Sequence, residues 1–264
     1  MRIALGLEYD GAGFCGWQSQ ADGCGLQDSL EKALAGIADH QLRVIAAGRT
    51  DAGVHALSQV IHFDTLTLRP MSAWVRGVNA LLPKAVRVLW AKQVDEKFHA
   101  RFEARQRSYQ YLLANQPVAP AILASKAGWF HLPLDLTLMR AAASDLVGKH
   151  DFSAFRAAEC QAKSPIKHLH RADISQVGNS FLFDFSANAF LHHQVRNMVG
   201  ALVYVGKGKH PPSLIKALLQ AKDRSHAPPT FMPDGLYLSG VEYDAKWGLP
   251  CTHRSLTALP LLIN

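Results

Sequence analysis

The chain has 264 residues and a mass of 28.9 kDa, and 48% of its residues are hydrophobic, enough to bury the core of one large domain or two modest ones. Lys and Arg number 28 against 21 Asp and Glu, giving a net charge of +7 and a pI near 9.3, so nucleic acid leads the partner classes and an anionic membrane surface follows. No run of about 18 apolar residues occurs, and Glu8 and Asp10 interrupt the first apolar stretch before signal-peptide length, so a cytoplasmic protein without a membrane partner is expected.

"IALGLEY" reads as a buried strand, and Leu26, Leu30, Ala33, Leu34 and Ile37 then recur at helical spacing. "QLRVIAA" and "SQVIHFD" are β-rich, "MSAWVRGVNALL" puts Trp74, Val75, Val78 and Leu81 on one helical face, and "AVRVLWAKQV" alternates as a strand. The order is β-α-β-β-α-β. It begins again at "RSYQYLLAN", with helices over "LTLMRAAASDLVG", "AFLHHQVRNMVGALVYVG" and "PSLIKALLQAKD" and strands over "HLHRADISQV", "FLFDFSA" and "LYLSGVEY". The pattern predicts an α+β protein of two ferredoxin-like (RRM-like) halves, residues 1–104 and 105–264, with mainly antiparallel sheets and a shared central cleft. The joint carries no Pro or Gly linker, which points to a rigid interface.

Cys15, Cys24, Cys160 and Cys251 form no Cys-x-x-Cys, so neither a zinc knuckle nor a redox pair is signalled, and reduced, buried thiols are expected. "GAGFCG" at residues 11–16 matches the dinucleotide fingerprint Gly-x-Gly-x-x-Gly, but "WQSQADGCG" separates it from the next helix and Glu31 lies inside that helix, so a glycine-rich turn is the better reading and no nucleotide cofactor is expected. His168 and His170, or His192 and His193, offer no third ligand at metal spacing, and solvent-facing or RNA-facing side chains are expected instead of a metal site.

"GRTDAGVHA" sets Arg49 two residues before Asp51 in an otherwise small segment. A turn explains Asp51 and Gly53. It leaves Arg49 unexplained, whereas a functional loop accounts for both charges. A carboxylate kept ionised in a partly dry cleft needs a cation, and an arginine also serves as a planar wedge or phosphate clamp.

With "LEYDGAGFCGWQ", "FHARFEARQRSYQY", "GKHDFSAF", "NAFLHHQVRNMVG" and "DGLYLSGVEY", this segment closely resembles the bacterial tRNA pseudouridine synthase A family, in order over nearly the whole chain. The resemblance implies a cofactor-free isomerase, usually a homodimer, acting on uridines at the 3′ side of the tRNA anticodon stem-loop. It makes Asp51 the reacting carboxylate, as nucleophile toward the ribose or the base or as a base on the ribose; the sequence leaves these three paths open. It pairs Arg196 with Asp51, sets Tyr109 against the flipped base for stacking or proton transfer, and makes Arg49, His55, Arg105 and Arg107 substrate-binding candidates. Two alternatives are an RNA-binding protein without turnover and a nucleotide-cofactor enzyme built on "GAGFCG".

Arg105, Arg107, Tyr109 and Tyr111 alternate, which predicts a basic and aromatic strand face suited to RNA. Relatives often carry arginine where Gln110 stands. Val195, Met198, Val199 and Leu202 form a core stripe on the long helix, with His193, Arg196, Asn197 and Gly200 on another face; Asp184 is the competing partner for Arg196. Phe231 and Met232 replace the smaller residues typical of relatives.

Overall fold

The first apolar run becomes β1 (Arg2–Tyr9) in a computed structural model that describes residues 1–250 and 252–258. After it come α1 (Leu26–Ala38), β2 (Ile45–Ala46), β3 (His55–Asp64), a π-helical turn at Ala73–Gly77 leading into α2 (Val78–Leu81), and β4 (Val86–Val94). Residues 1–105, together with 237–255, form one unit, so the strand near the carboxyl end, β10 (Leu236–Glu242), is counted with the amino-terminal elements. The strand order is β4-β1-β3-β10, with β2 also on β3; β1 runs antiparallel to β3 and β4, and β10 runs parallel to β3.

Nine of the ten β3 residues are buried, which suits a central strand with neighbours on both edges. Leu26, Leu30, Ala33 and Leu34 form the buried stripe of α1; Asp28 reaches back to the Gly25 N–H at 3.1 Å, and Asp39 ends the helix in the left-handed region at φ 59°.

The second unit takes in residues 106–236 and the described residues from Leu256 onward. It contains β5 (Gln106–Asn115), β6 (Gly128–Phe130), α3 (Leu136–Ser144), β7 (Gly148–Asp151), β8 (Ile166–Val177), β9 (Ser180–Ala187), α4 (Gln194–Gly206) and α5 (Leu214–Ala221). The order β5-β9-β8-β7 is antiparallel throughout, with β6 parallel to β5. Gly178, at φ 56°, turns the β8–β9 hairpin, and Phe181, Phe183 and Phe185 drive its buried face. The described residues thus make a mixed α/β chain of ten strands, mostly antiparallel, and five α-helices, none of them long and apolar enough to cross a membrane.

Several local expectations change. Only Ile45–Ala46 of "QLRVIAA" pairs, and Leu81 is exposed while Leu82 joins Trp74 and Val78 inside, because the π turn rotates the helix face. α4 starts at Gln194: His193, at φ 60°, precedes it in the left-handed region, so it is not on the helix face with Arg196. The cysteine expectation is also corrected. Cys15 is exposed and forms a disulfide with Cys24, their Cα atoms 5.5 Å apart across the turn before α1, while Cys160 is free and buried; Cys251 lies outside the described residues.

Candidate active site

Thr50 to Gly53 lies within the connection from β2 to β3. The Val54 N–H donates to Asp51 O at 3.1 Å, and Gly53 takes φ 78°, where a side chain would be strained. The connection is fixed from beneath. Thr50 is buried, and its hydroxyl lies 2.9 Å from the Tyr9 hydroxyl of β1. Gln59 of β3 donates through Nε2 to Gly48 O at 2.8 Å and to the Tyr9 hydroxyl at 3.4 Å. Burial pushes the Tyr9 phenol up to about 12, so it stays a neutral donor and acceptor at physiological pH.

The glycine-rich turn backs the same connection from the side. A Cβ on Gly11 would sit 2.0 Å from Val54 O, and Gly16, at φ 96°, would bring one to 3.0 Å from Thr50 O; Trp17 N–H donates to that same oxygen at 2.9 Å. "GAGFCG" therefore packs backbone on backbone against the Asp51 segment, and α1 begins only ten residues after Gly16, which does not fit the dinucleotide pattern. Sequence reasoning set these glycines aside and missed Tyr9 and Gln59; the signal available was their place beside "GRTD" in a strand pair.

His55 is 1% exposed, stacked on Tyr237 with ring centroids 4.6 Å apart. Its Nδ1 lies 3.0 Å from Gly11 N and 3.1 Å from Asp10 Oδ1. That nitrogen accepts from the Gly11 N–H, which ties the glycine turn to β3. Burial and the Asp10 carboxylate raise the Tyr237 phenol. Above this support Asp51 is half-buried and Arg49 is exposed; among the described residues no hydrogen bond or ion pair engages the Arg49 guanidinium.

In the second unit Tyr109 sits on β5, 9% exposed, edge-on to Phe190 at 5.1 Å. The expected four-residue strand face narrows. Arg105 precedes the strand in the first unit and pairs with Asp244, and Tyr111 is fully buried, its hydroxyl donating to Met232 O at 3.0 Å. Arg107 stays half-buried and donates to Asn188 O at 3.1 Å. Gln110 is interior, donating to Asp184 Oδ2 at 2.9 Å and accepting from Leu256 N at 2.8 Å, so this position is no phosphate contact.

Arg196 emerges from the first turn of α4, and its Nε donates to Phe231 O at 2.9 Å. Asp184 is not its partner, because Arg171 holds Asp184 Oδ1 at 2.6 Å while Gln110 holds Oδ2. Phe231 supplies the carbonyl that aims Arg196 and sets its ring edge-on to Tyr111 at 5.8 Å; Met232 accepts from Tyr111 and, through sulfur, from Trp129 N at 3.3 Å.

A half-buried carboxylate on a rigid loop can attack or deprotonate a substrate without redox change, and an aromatic strand position can stack a base. A sequence profile described as tRNA pseudouridine synthase matches residues 7–103 and 142–244; the first segment takes in Arg49, Asp51 and His55, the second Arg196, and Tyr109 falls between them. The chain is 68% identical over 256 residues to a tRNA pseudouridine synthase A of Methylobacillus flagellatus, covering 97% of the chain and 98% of that relative. It is 60% identical over 250 residues to the like-named protein of Dechloromonas aromatica, with 95% of each covered, and 59% identical over 250 residues to that of Nitrosomonas eutropha, covering 95% of the chain and 90% of the relative.

Proposed function

The chain belongs to the tRNA pseudouridine synthase family and isomerises uridine to pseudouridine in the anticodon stem-loop of tRNA, and from that premise we propose which residues carry the reaction. The isomerisation breaks the N1–C1′ bond, turns the held base, joins C5 to C1′ and removes the C5 proton. It changes no oxidation state and calls for no cofactor.

Asp51 is the reacting carboxylate. The observation that carries this reading is the clamp under its loop: Thr50, Gly48 and Val54 are tied down by Tyr9, Gln59, Trp17 and the Gly11 turn, and Asp51, half-buried, and Arg49, exposed, are the two charged residues of that fixed segment. A reacting group held this way loses little freedom when substrate arrives. Attack on C1′, attack on C6 and proton abstraction from the ribose all need this one ionised oxygen donor.

Arg196 is the cation that pairs with Asp51 and aims it, Tyr109 stacks the flipped uracil, and Arg49 occupies the space the base leaves, offsetting a flipping cost of a few kcal/mol. Arg105 and Arg107 contact tRNA phosphates, and His55 serves the substrate through the Gly11 turn it holds. Each unit is ferredoxin-like: the split β-α-β order β4-β1-β3-β2 of the first and the neighbours β5-β9-β8 of the second support that reading. The protein works as a cytoplasmic homodimer.

Asp51→Asn tests the assignment, because the amide keeps the volume and the turn but cannot act as nucleophile or base. Tritium release from C5-labelled uridine in tRNA should vanish while melting temperature and tRNA binding persist. Near-normal release from the folded variant would overturn the catalytic role.

A further inference from the structure

Arg224 is half-buried, yet among the described residues no carboxylate lies within ion-pair distance of it. Its guanidinium serves three neutral acceptors instead: Ala227 O from Nη1 at 3.0 Å, and Asn197 Oδ1 at 3.2 Å and Thr230 Oγ1 at 3.1 Å from Nη2. Thr230 in turn donates to Asn197 Oδ1 at 2.6 Å, and Asn197 Nδ2 donates to Phe155 O at 2.8 Å. Burial lowers the arginine's pKa, the sign of a charge held where solvent is scarce. A charge retained there without a counter-ion needs a reason.

The reason lies one residue along. Asn197 follows Arg196, and the segment pinned by Arg224, residues 227–231, delivers the Phe231 carbonyl to Arg196 Nε at 2.9 Å and takes its own N–H to Arg196 O at 3.3 Å. The same segment presses on α4 one turn later, where a Cβ on Gly200 would meet Pro229 O at 2.4 Å. The strap thus meets the helix at Phe231 itself and at the two residues before it, Thr230 and Pro229.

We propose that Arg224 is a positioning residue for the isomerisation: through Thr230, Asn197 and the 227–231 strap it fixes the Phe231 carbonyl, and so the orientation of Arg196. This rests on the reading of Arg196 as the partner of the reacting carboxylate. A misplacement near 1 Å in such a group costs about 100-fold in rate.

Single-turnover kinetics on C5-tritiated tRNA test this with Arg224→Met and, because that variant risks folding poorly, with Thr230→Val. Both should slow the chemical step by about 10- to 100-fold while tRNA affinity stays within about twofold, and Thr230→Ser, which keeps the hydroxyl, should recover most of the rate. In an Arg196→Lys background, which has no Nε for Phe231 to hold, Arg224→Met should add less than about a twofold loss. Weakened tRNA affinity at an unchanged rate, a Thr230→Ser variant as slow as Thr230→Val, or a full additional loss in the Arg196→Lys background would overturn the proposal. Failure of the underlying reading is separate, since Arg196→Lys and Arg196→Met would then themselves turn over normally.

Discussion

Tyr9 separates the energy of one hydrogen bond from the energy of burying one phenol. Its hydroxyl meets Thr50 at 2.9 Å inside the first unit, and burial lifts its pKa from 10.0 to about 12. The folded value is the higher one, so Tyr9 contributes stability that is fully present below about pH 10 and is lost as pH climbs toward 12, where the unfolded chain gives up its proton first. Each pH unit in that window corresponds to about 1.4 kcal/mol, about 2.7 kcal/mol in all. Tyr9→Phe keeps the ring and its neighbour Trp17 at 5.9 Å but leaves the Thr50 hydroxyl without this partner, at about 1–2 kcal/mol. At pH 8 the variant should melt roughly 2–8 °C lower. Above about pH 10 the parent protein loses what the variant has no phenol to lose, so the two stability curves should cross near about pH 11. Tyr237 and the lysines titrate in both proteins and drop out of the difference. Urea midpoints measured every half unit from pH 8 to 11.5 supply the comparison. Curves that stay parallel would refute the buried, neutral phenol, and equal stability at pH 8 would refute the bond to Thr50.

His62 gives the acid counterpart: burial, with Arg2 adding to it, lowers its pKa from 6.5 to about 4, so stability is complete above about pH 6.5 and should fall by about 3 kcal/mol as pH drops through the window. His62→Asn should flatten that decline in urea midpoints between pH 7 and 4, and an equally steep decline would count against it. Gly11→Ala forces a Cβ to 2.0 Å from Val54 O, whereas Gly13 has nothing within 4 Å, so the first variant should lose turnover by about 100-fold and Gly13→Ala should not; equal activities would dismiss the backing role of the glycine turn. Arg49→Ala removes a side chain without structural partners among the described residues, so stability should change by less than about 0.5 kcal/mol while turnover falls, because nothing then fills the space the flipped base leaves; a large drop in melting temperature would show a structural duty instead.

The sequence was most legible where periodicity met burial. α1 and α4 reveal themselves by apolar spacing because each packs a stripe into a core, and β3, β8 and β9 by β-branched and aromatic runs. The short strands β6 and β7 left no trace in that reading, since three or four residues carry no period and are held by pairing with distant neighbours. The return of β10 to the first unit was hidden for the same reason: parallel pairing with β3 joins residues far apart in the chain. Asp51 and Arg49 were legible as an odd charge pair in a small-residue turn. Tyr9, Gln59 and Arg224 were not, because a buried hydroxyl, amide or guanidinium shows its purpose only through the atoms it touches.

Those atoms share a chemical character. Beneath the Asp51 segment the fixing groups are a phenol, a hydroxyl, an amide and peptide carbonyls; beside Arg196 they are an amide, a hydroxyl, peptide groups and one arginine. Carboxylates would make stronger contacts with the donors present, but each would add a full negative charge to a protein that acts on polyanionic RNA. On the proposed roles, each would also compete with Asp51 for Arg196. Neutral groups avoid both effects: they set position through distance and angle and leave the local field to the few charged side chains that meet substrate. Arg224, an ion that does clamp, fits the same logic, since it carries the sign that a phosphate backbone tolerates. The acids that do appear in these supports stand where their charge is answered. Asp184 is held by Arg171 and Gln110, and Asp10 accepts from the Ala12 N–H at 3.1 Å.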